Sequence, residues 1–185
     1  MRHSVCVYCG SSDEASPGYR AAAAEAVRAL GALGADLIYG GGLHGLMGEV
    51  ARAAAAQGIP LRGIVPSRFK SGRSIPPPGT EYIFVDSMQE RKAVMRDLSQ
   101  GFLALPGGIG TLDEVCETLM MRSLGFHDKP LAILNTKGFF DPLLAMFERL
   151  VADTFMKDSV YKSIIVAEDP GEAARGLFEA LAERP

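Results

Sequence analysis

The apolar run Asp36-Leu37-Ile38-Tyr39 empties into Gly40-Gly41-Gly42-Leu43-His44-Gly45-Leu46-Met47-Gly48. A short strand that opens into a glycine-rich turn is half of a βα unit, and the alternation runs along the whole chain. Strand candidates are residues 4–8, 36–39, 61–65, 82–85, 101–105, 131–134 and 163–166. Most are continuous apolar runs, as expected for strands covered on both faces. Helical spacing of three and four lies between them, in Tyr19, Ala23, Ala26, Val27 and Leu30 and in Leu112, Val115, Cys116, Leu119 and Met120. Leu143, Met146, Phe147 and Leu150 repeat it, as do Ala174, Leu177, Phe178 and Leu181.

The punctuation fits. Ser16-Pro17, Asp141-Pro142 and Asp169-Pro170 read as N-caps followed by proline at the first helical position. Gly34, Gly58 and Gly125 stand where helices should stop. Strand alternating with helix implies a mostly parallel sheet of about seven strands, helices on both faces, doubly wound. Residues 67–79, with Ser-Gly and Pro-Pro-Pro-Gly, read as a loop near the site.

Length and composition bound the function. The 185 residues fit one α/β domain, 1–185, with 48% hydrophobic and 22% charged residues. A net charge of −3 gives no electrostatic reason to expect nucleic acid or an anionic membrane. No apolar run approaches the roughly 20 residues of a membrane span, and no signal-peptide pattern precedes the first strand. Three cysteines, an odd number, speak against a secreted disulfide scaffold, so the cytoplasm is the expected location.

Ligands of an open parallel sheet bind where strands end in loops and helix N-termini. A second glycine-rich junction, Pro106-Gly107-Gly108-Ile109-Gly110-Thr111, follows the fifth strand candidate. Backbone N–H groups in such turns, with the helix dipole, suit a phosphate. Neither loop continues into Gly-Lys-Ser/Thr, so triphosphate hydrolysis with magnesium is not indicated, and the first turn, Cys9-Gly10-Ser11-Ser12, is no dinucleotide fingerprint. Either loop alone reads equally as a tight turn; two at one sheet edge favour a monophosphate-sized ligand.

Thr111-Leu112-Asp113-Glu114 fits a capping box with Thr111 as N-cap, and Glu114 reads either as part of that cap or as a carboxylate in the cleft. Glu117, one turn on, allows a carboxylate pair. Ser87-Met88-Gln89-Glu90 is a second capping box, which places Arg91 and Lys92 where cations oppose the helix dipole. They read as solvated charges or as partners of an anionic ligand. Cys6 and Cys9 lie within or just after a strand rather than at a helix N-terminus, and with only His3, His44 and His127 besides, no metal or redox site is indicated. His44 lies in the first glycine loop, within reach of a ligand; His127 belongs to the turn before the sixth strand. Met47, Met88, Met120 and Met121 read as core or interface.

Together these motifs resemble the LOG family, once widely labelled lysine decarboxylases, whose signature runs GGGxxGLMG and then PGGxGTxxE. Here it stands at Gly40 to Gly48 and Pro106 to Glu114, with Met88-Gln89-Glu90-Arg91-Lys92 matching M-x-x-R-K. The opening Cys6-Val7-Tyr8-Cys9-Gly10-Ser11-Ser12 and the later Gly125-Phe126-His127-Asp128-Lys129-Pro130 also match. The resemblance implies a Rossmann-like sheet, a homodimer, no cofactor, and hydrolysis of a cytokinin riboside 5′-monophosphate to the free base and ribose 5-phosphate. It assigns catalysis to Arg91 and Glu114, and the phosphate to Gly107, Gly108, Gly110 and Thr111. Its motifs extend the substrate-binding set to Gly41, Gly42, Met47, Met88, Lys92, Asp113 and Glu117, with Asp113 and Glu117 as candidate proton donors. The chain departs from the plant pattern at Ile109, where tyrosine is usual, and in the basic loop with Arg68, Lys70 and Arg73; AMP therefore stands beside an N6-modified nucleotide as substrate. Two rivals are a nucleotide or molybdenum-cofactor binding protein of the same superfamily, and a pyridoxal phosphate decarboxylase, which needs a Schiff-base lysine near the loops. Leu119, Met120 and Leu124 form an apolar face that reads as interface or core.

Overall fold

The computed structural model describes residues 2–70 and 75–184, and Arg73 of the basic loop lies outside them. The strands are β1 (His3–Tyr8), β2 (Ala35–Tyr39), β3 (Leu61–Pro66), β4 (Thr80–Val85), β5 (Gly101–Ala104), β6 (Leu131–Leu134) and β7 (Ile164–Ala167). They form one all-parallel sheet in the order β4-β3-β2-β1-β5-β6-β7, with Val5 beside both Leu37 and Gly101. The chain winds outward from β1 to β4, then returns to place β5 on the other side of β1. A crevice therefore opens at the carboxyl ends of β1 and β5, the topological switch point.

The helices are α1 (Pro17–Ala32), α2 (Gly45–Ala56), α3 (Met88–Leu98), α4 (Ile109–Ser123), α5 (Asp141–Ala152), the single turn α6 (Asp158–Tyr161) and α7 (Pro170–Ala182). Because strand side chains alternate faces, β1 feeds two cores. Val5 and Val7 pack with Val27, Val50 and Leu177 of α1, α2 and α7. Cys6 and Tyr8 pack with Met95, Val115, Phe147 and Val160 of α3 to α6.

Six of the expected helix boundaries hold. Gly34, Gly58 and Gly125 have φ of 84°, 61° and 78° just past helix ends, a conformation glycine adopts freely. Ser16 is the N-cap of α1, without a side-chain bond. Asp169 caps α7 by accepting from Glu172 N at 2.9 Å, and Ser87 caps α3 by accepting from Glu90 N at 3.1 Å. Two expectations fail. Asp141 is inside α5, whose N-cap is Phe140, because its carboxylate accepts from Asn135 Nδ2 at 2.7 Å while Asn135 Oδ1 takes Phe140 N. Thr111 is the third residue of α4, not its cap; Gly108 is the N-cap, with no side-chain bond. No helix among the described residues is long and apolar enough to cross a membrane.

Candidate active site

A cleft of about 720 Å³ opens at the carboxyl ends of β1, β2, β3 and β5. Of the residues singled out in the sequence, Gly42, Met47, Met88, Arg91, Gly108, Gly110, Thr111 and Glu114 line it, as do His44 and Ile109. The true start of α4 matters for the chemistry. With α4 starting at Ile109, Glu114 is released from any capping role and lies more than a turn inside the helix.

Arg91 and Glu114 reach each other from α3 and α4. Both are 9% exposed, and Arg91 Nη1 donates to Glu114 Oε1 at 3.0 Å. Arg91 Nε donates to the Ile64 carbonyl at 3.2 Å, fixing the guanidinium against the end of β3 and leaving N–H groups for a ligand. Glu114 Oε2 accepts nothing from the described residues. Burial pushes the Glu114 carboxyl up to about 7, against the pull of Arg91. A buried carboxylate poised near neutrality on the wall of a cleft is the state expected of a catalytic base or charge stabiliser. Behind it, Thr118 Oγ1 donates to the Glu114 carbonyl at 2.8 Å and meets the Tyr8 hydroxyl at 3.1 Å, so the turn carrying Glu114 is anchored to β1.

The first intrahelical bond at the start of α4 runs from Leu112 N to Gly108 O at 3.1 Å. The N–H groups of Ile109, Gly110 and Thr111 precede it and are left for an outside acceptor. No capping side chain competes for them, and the helix dipole favours an anion there.

Five predicted residues do not line the cleft. Gly41 packs into its wall, where a Cβ would come within 2.3 Å of Val65 Cγ2. Gly107 presses against Thr111 and Gly10, and borders a second pocket of about 440 Å³ on the α1 side of the β1–α1 loop. Lys92 pairs with Asp113 at 3.0 Å and with Glu117, and Arg96 stands 3.7 Å from Glu117, so these groups form a network on the α3–α4 flank. Hydrogen bonds donated to these carboxylates, Glu117 first, hold the Lys92 ammonium above its ordinary pKa. Glu117 thus reaches the flank rather than the main cleft.

The sequence reading missed Cys9, Ser11, Val65, Pro66 and Phe69, which also line the cleft. Val65 and Pro66, the last residues of β3, carry no chemical signal, and Phe69 lies in the 67–79 stretch that the sequence places near the site only as a loop. Cys9 is buried, which pushes its thiol well up and leaves it inert. Among the described residues, no three His, Cys, Asp or Glu side chains group as metal ligands.

A family model described as "possible lysine decarboxylase" matches residues 47–177. Among similar proteins is rice (Oryza sativa subsp. japonica) "probable cytokinin riboside 5′-monophosphate phosphoribohydrolase LOGL9", 44% identical over 95% of this chain and 77% of that protein. Another is rice "cytokinin riboside 5′-monophosphate phosphoribohydrolase LOG", 38% identical over 97% of this chain and 74% of that protein. Among solved structures, the molybdenum cofactor carrier protein of Chlamydomonas reinhardtii superposes with a TM-score of 0.75 at 21% identity, over 99% of this chain and 100% of that one. The molybdenum cofactor binding protein of Rippkaea orientalis gives 0.72 at 20% identity, over 98% of each chain. At such identities the likeness is one of fold.

Proposed function

Because the chain belongs to the family described as possible lysine decarboxylases, that of the rice LOG proteins, we propose that it hydrolyses the N-glycosidic bond of an adenine-type nucleoside 5′-monophosphate. The substrate is a cytokinin riboside 5′-monophosphate or AMP, and the products are the free base and ribose 5-phosphate. The observation that carries this reading is the buried Arg91–Glu114 pair beside the uncapped N-terminus of α4.

The chemistry follows from that arrangement. The 5′-phosphate accepts from Ile109, Gly110 and Thr111 N–H groups at the helix start. Breaking the ribosyl C–N bond builds positive charge on the sugar. Glu114 stabilises that charge and takes a proton from the attacking water, while Arg91 holds the ribose or phosphate so that the anomeric carbon meets the carboxylate. Lys92, Asp113 and Glu117 serve the site indirectly, by fixing α3 against α4. Among the described residues that line the cleft there is no lysine to form a Schiff base with pyridoxal phosphate, and Lys92 is held protonated by two carboxylates. The activity belongs to one domain, residues 1–185, acting in the cytoplasm. It functions as a homodimer, paired through the apolar groove of about 390 Å³ lined by exposed Met120 of α4, Leu124 at its C-cap and Phe155.

The test is base release from AMP and from isopentenyladenosine 5′-monophosphate, with the parent nucleosides as phosphate-free controls. Base should appear from the monophosphates alone. Glu114→Gln should lower kcat by about 1,000-fold. On the acid side of the wild-type profile, kcat/KM should rise with pH through about 7, as the carboxyl ionises. The folded pKa lies above the ordinary 4.5, so the contribution of Glu114 to stability falls over the same interval in which activity rises. Glu114→Gln activity within a few-fold of wild type would sink the assignment; nucleotide binding without any base release would make the protein a carrier.

A further inference from the structure

Hydrolysis leaves one requirement unmet by Arg91 and Glu114. The purine departs with the bonding electron pair and needs a proton on a ring nitrogen. Among the described residues lining the cleft, the side chains that carry titratable protons are Cys9, His44, Arg91 and Glu114. The Cys9 thiol is pushed too far up to donate, Arg91 is engaged by the Ile64 carbonyl and Glu114, and Glu114 serves the attacking water. Asp113 and Glu117 are bound to Lys92 outside the cleft.

We propose, resting on the hydrolase reading, that His44 is the acid that protonates the departing base and that Asp13 is its positioning residue. His44 is the extended N-cap of α2, at φ −112° and ψ 161°, and is among the residues that line the cleft. Its Nδ1 lies 2.8 Å from Asp13 Oδ2. The other oxygen of Asp13 accepts from Gly45 N, also at 2.8 Å, so one carboxylate spans the helix start and the imidazole. These bonds, Gly45 first, hold the Asp13 carboxyl below its ordinary range, so it is a fixed anion. An ionised partner on Nδ1 sets the ring orientation and leaves Nε2 for the ligand.

The surrounding charges support this division. From α1, Arg20 donates to the Asp13 backbone carbonyl, and its guanidinium stands 3.6 Å from Glu49 of α2, which also pairs with Arg52 at 2.9 Å. Glu49 thus draws the cation, and the Asp13 carboxylate remains for His44. The step balances: the C1′–N9 bond breaks, its electron pair goes to the purine, and the His44 Nε2 proton moves to a purine nitrogen. Water bonds to C1′ and gives its proton to Glu114. Exchange with solvent restores both groups.

The test compares two leaving groups. AMP needs a proton for its base; a β-linked 4-nitrophenyl ribose 5-phosphate releases a stable phenolate without one. His44→Gln should lose about 100-fold in kcat on AMP and stay within about 3-fold on the phenyl substrate. Asp13→Asn should lose about 10-fold on AMP alone, and the basic fall of the wild-type pH profile on AMP should vanish in His44→Gln. Equal loss on both substrates, no loss on AMP, or a basic limb that persists in His44→Gln overturns the proposal, and the limb decides if the wild type refuses the phenyl compound. A wild type that hydrolyses neither overturns the hydrolase reading itself, and the proton donor with it.

Discussion

In the loop after β2, a Cβ added at Gly40 would come within 1.9 Å of Arg91 Nη2, and one at Gly45, where φ is +55°, within 2.5 Å of the Ser11 carbonyl carbon. In the loop after β5, a Cβ at Gly108 or Gly110 would meet nothing within 4 Å, and neither residue has a positive φ. The first loop needs its glycines for the protein's own packing: around Gly45 two backbones touch, and around Gly40 a guanidinium packs against the chain. Among the described residues nothing requires glycine at 108 or 110. Their bareness makes sense only if something from outside approaches the first turn of α4. One loop shapes the wall, and the other receives the ligand.

The largest effect expected from this contrast is at Gly45. An alanine there must hold a left-handed backbone while its methyl meets Ser11 and Ser12 main-chain atoms, which cannot swing aside. Gly45→Ala should destabilise the fold by about 3 kcal/mol. For a chain of this size that lowers the melting temperature by roughly 6–12 °C, read by calorimetry. A shift of less than about 2 °C would mean that the two loops are not packed as described.

At Gly40 the clash falls on a side-chain tip rather than on backbone. Arg91 can yield, but it is held by Ile64 O at 3.2 Å and by Glu114 at 3.0 Å, so yielding disturbs the catalytic pair. Gly40→Ala should therefore fold, with a stability loss of about 1 kcal/mol, yet lower kcat/KM about 100-fold, since an ångström of misplacement carries a penalty of that order. Full activity would show that the guanidinium position is not critical.

How much of this was legible in the sequence depends on how local each signal is. All seven strands were readable, because each is an apolar run bounded by its own glycines, prolines and caps. The crevice between β1 and β5 was legible only as a consequence of double winding. Arg91 was flagged by a local conflict, a cation near a helix start. Thr111 was misread because Thr-x-x-Glu satisfies a capping box on paper, whereas α4 is capped three residues earlier, on a bare Gly108. A helix start kept open for an anion has no cap to announce it. Glu117 shares a helix with Glu114, yet Lys92 and Arg96 draw it to the flank, a cross-helix contact that spacing does not encode. Asp13 was invisible for the same reason: its partners are His44 and Gly45, 31 and 32 residues away.

The smallest effect is the sharpest, because its two halves have opposite signs. Gly110 is the second residue of α4, in ordinary helical conformation with open space where a side chain would be. Alanine there restricts the unfolded chain and favours the helix, so Gly110→Ala should stabilise the protein by about 0.5 kcal/mol. The same methyl would stand at the approach to the free N–H groups, and KM for the nucleotide should rise about 10-fold with kcat little changed. A glycine that weakens its own helix is retained where function needs the space. If Gly110→Ala gained stability and kept its KM, the phosphate would have to lie elsewhere, and the reading of the second loop as the ligand's loop would fail while that of the first stood.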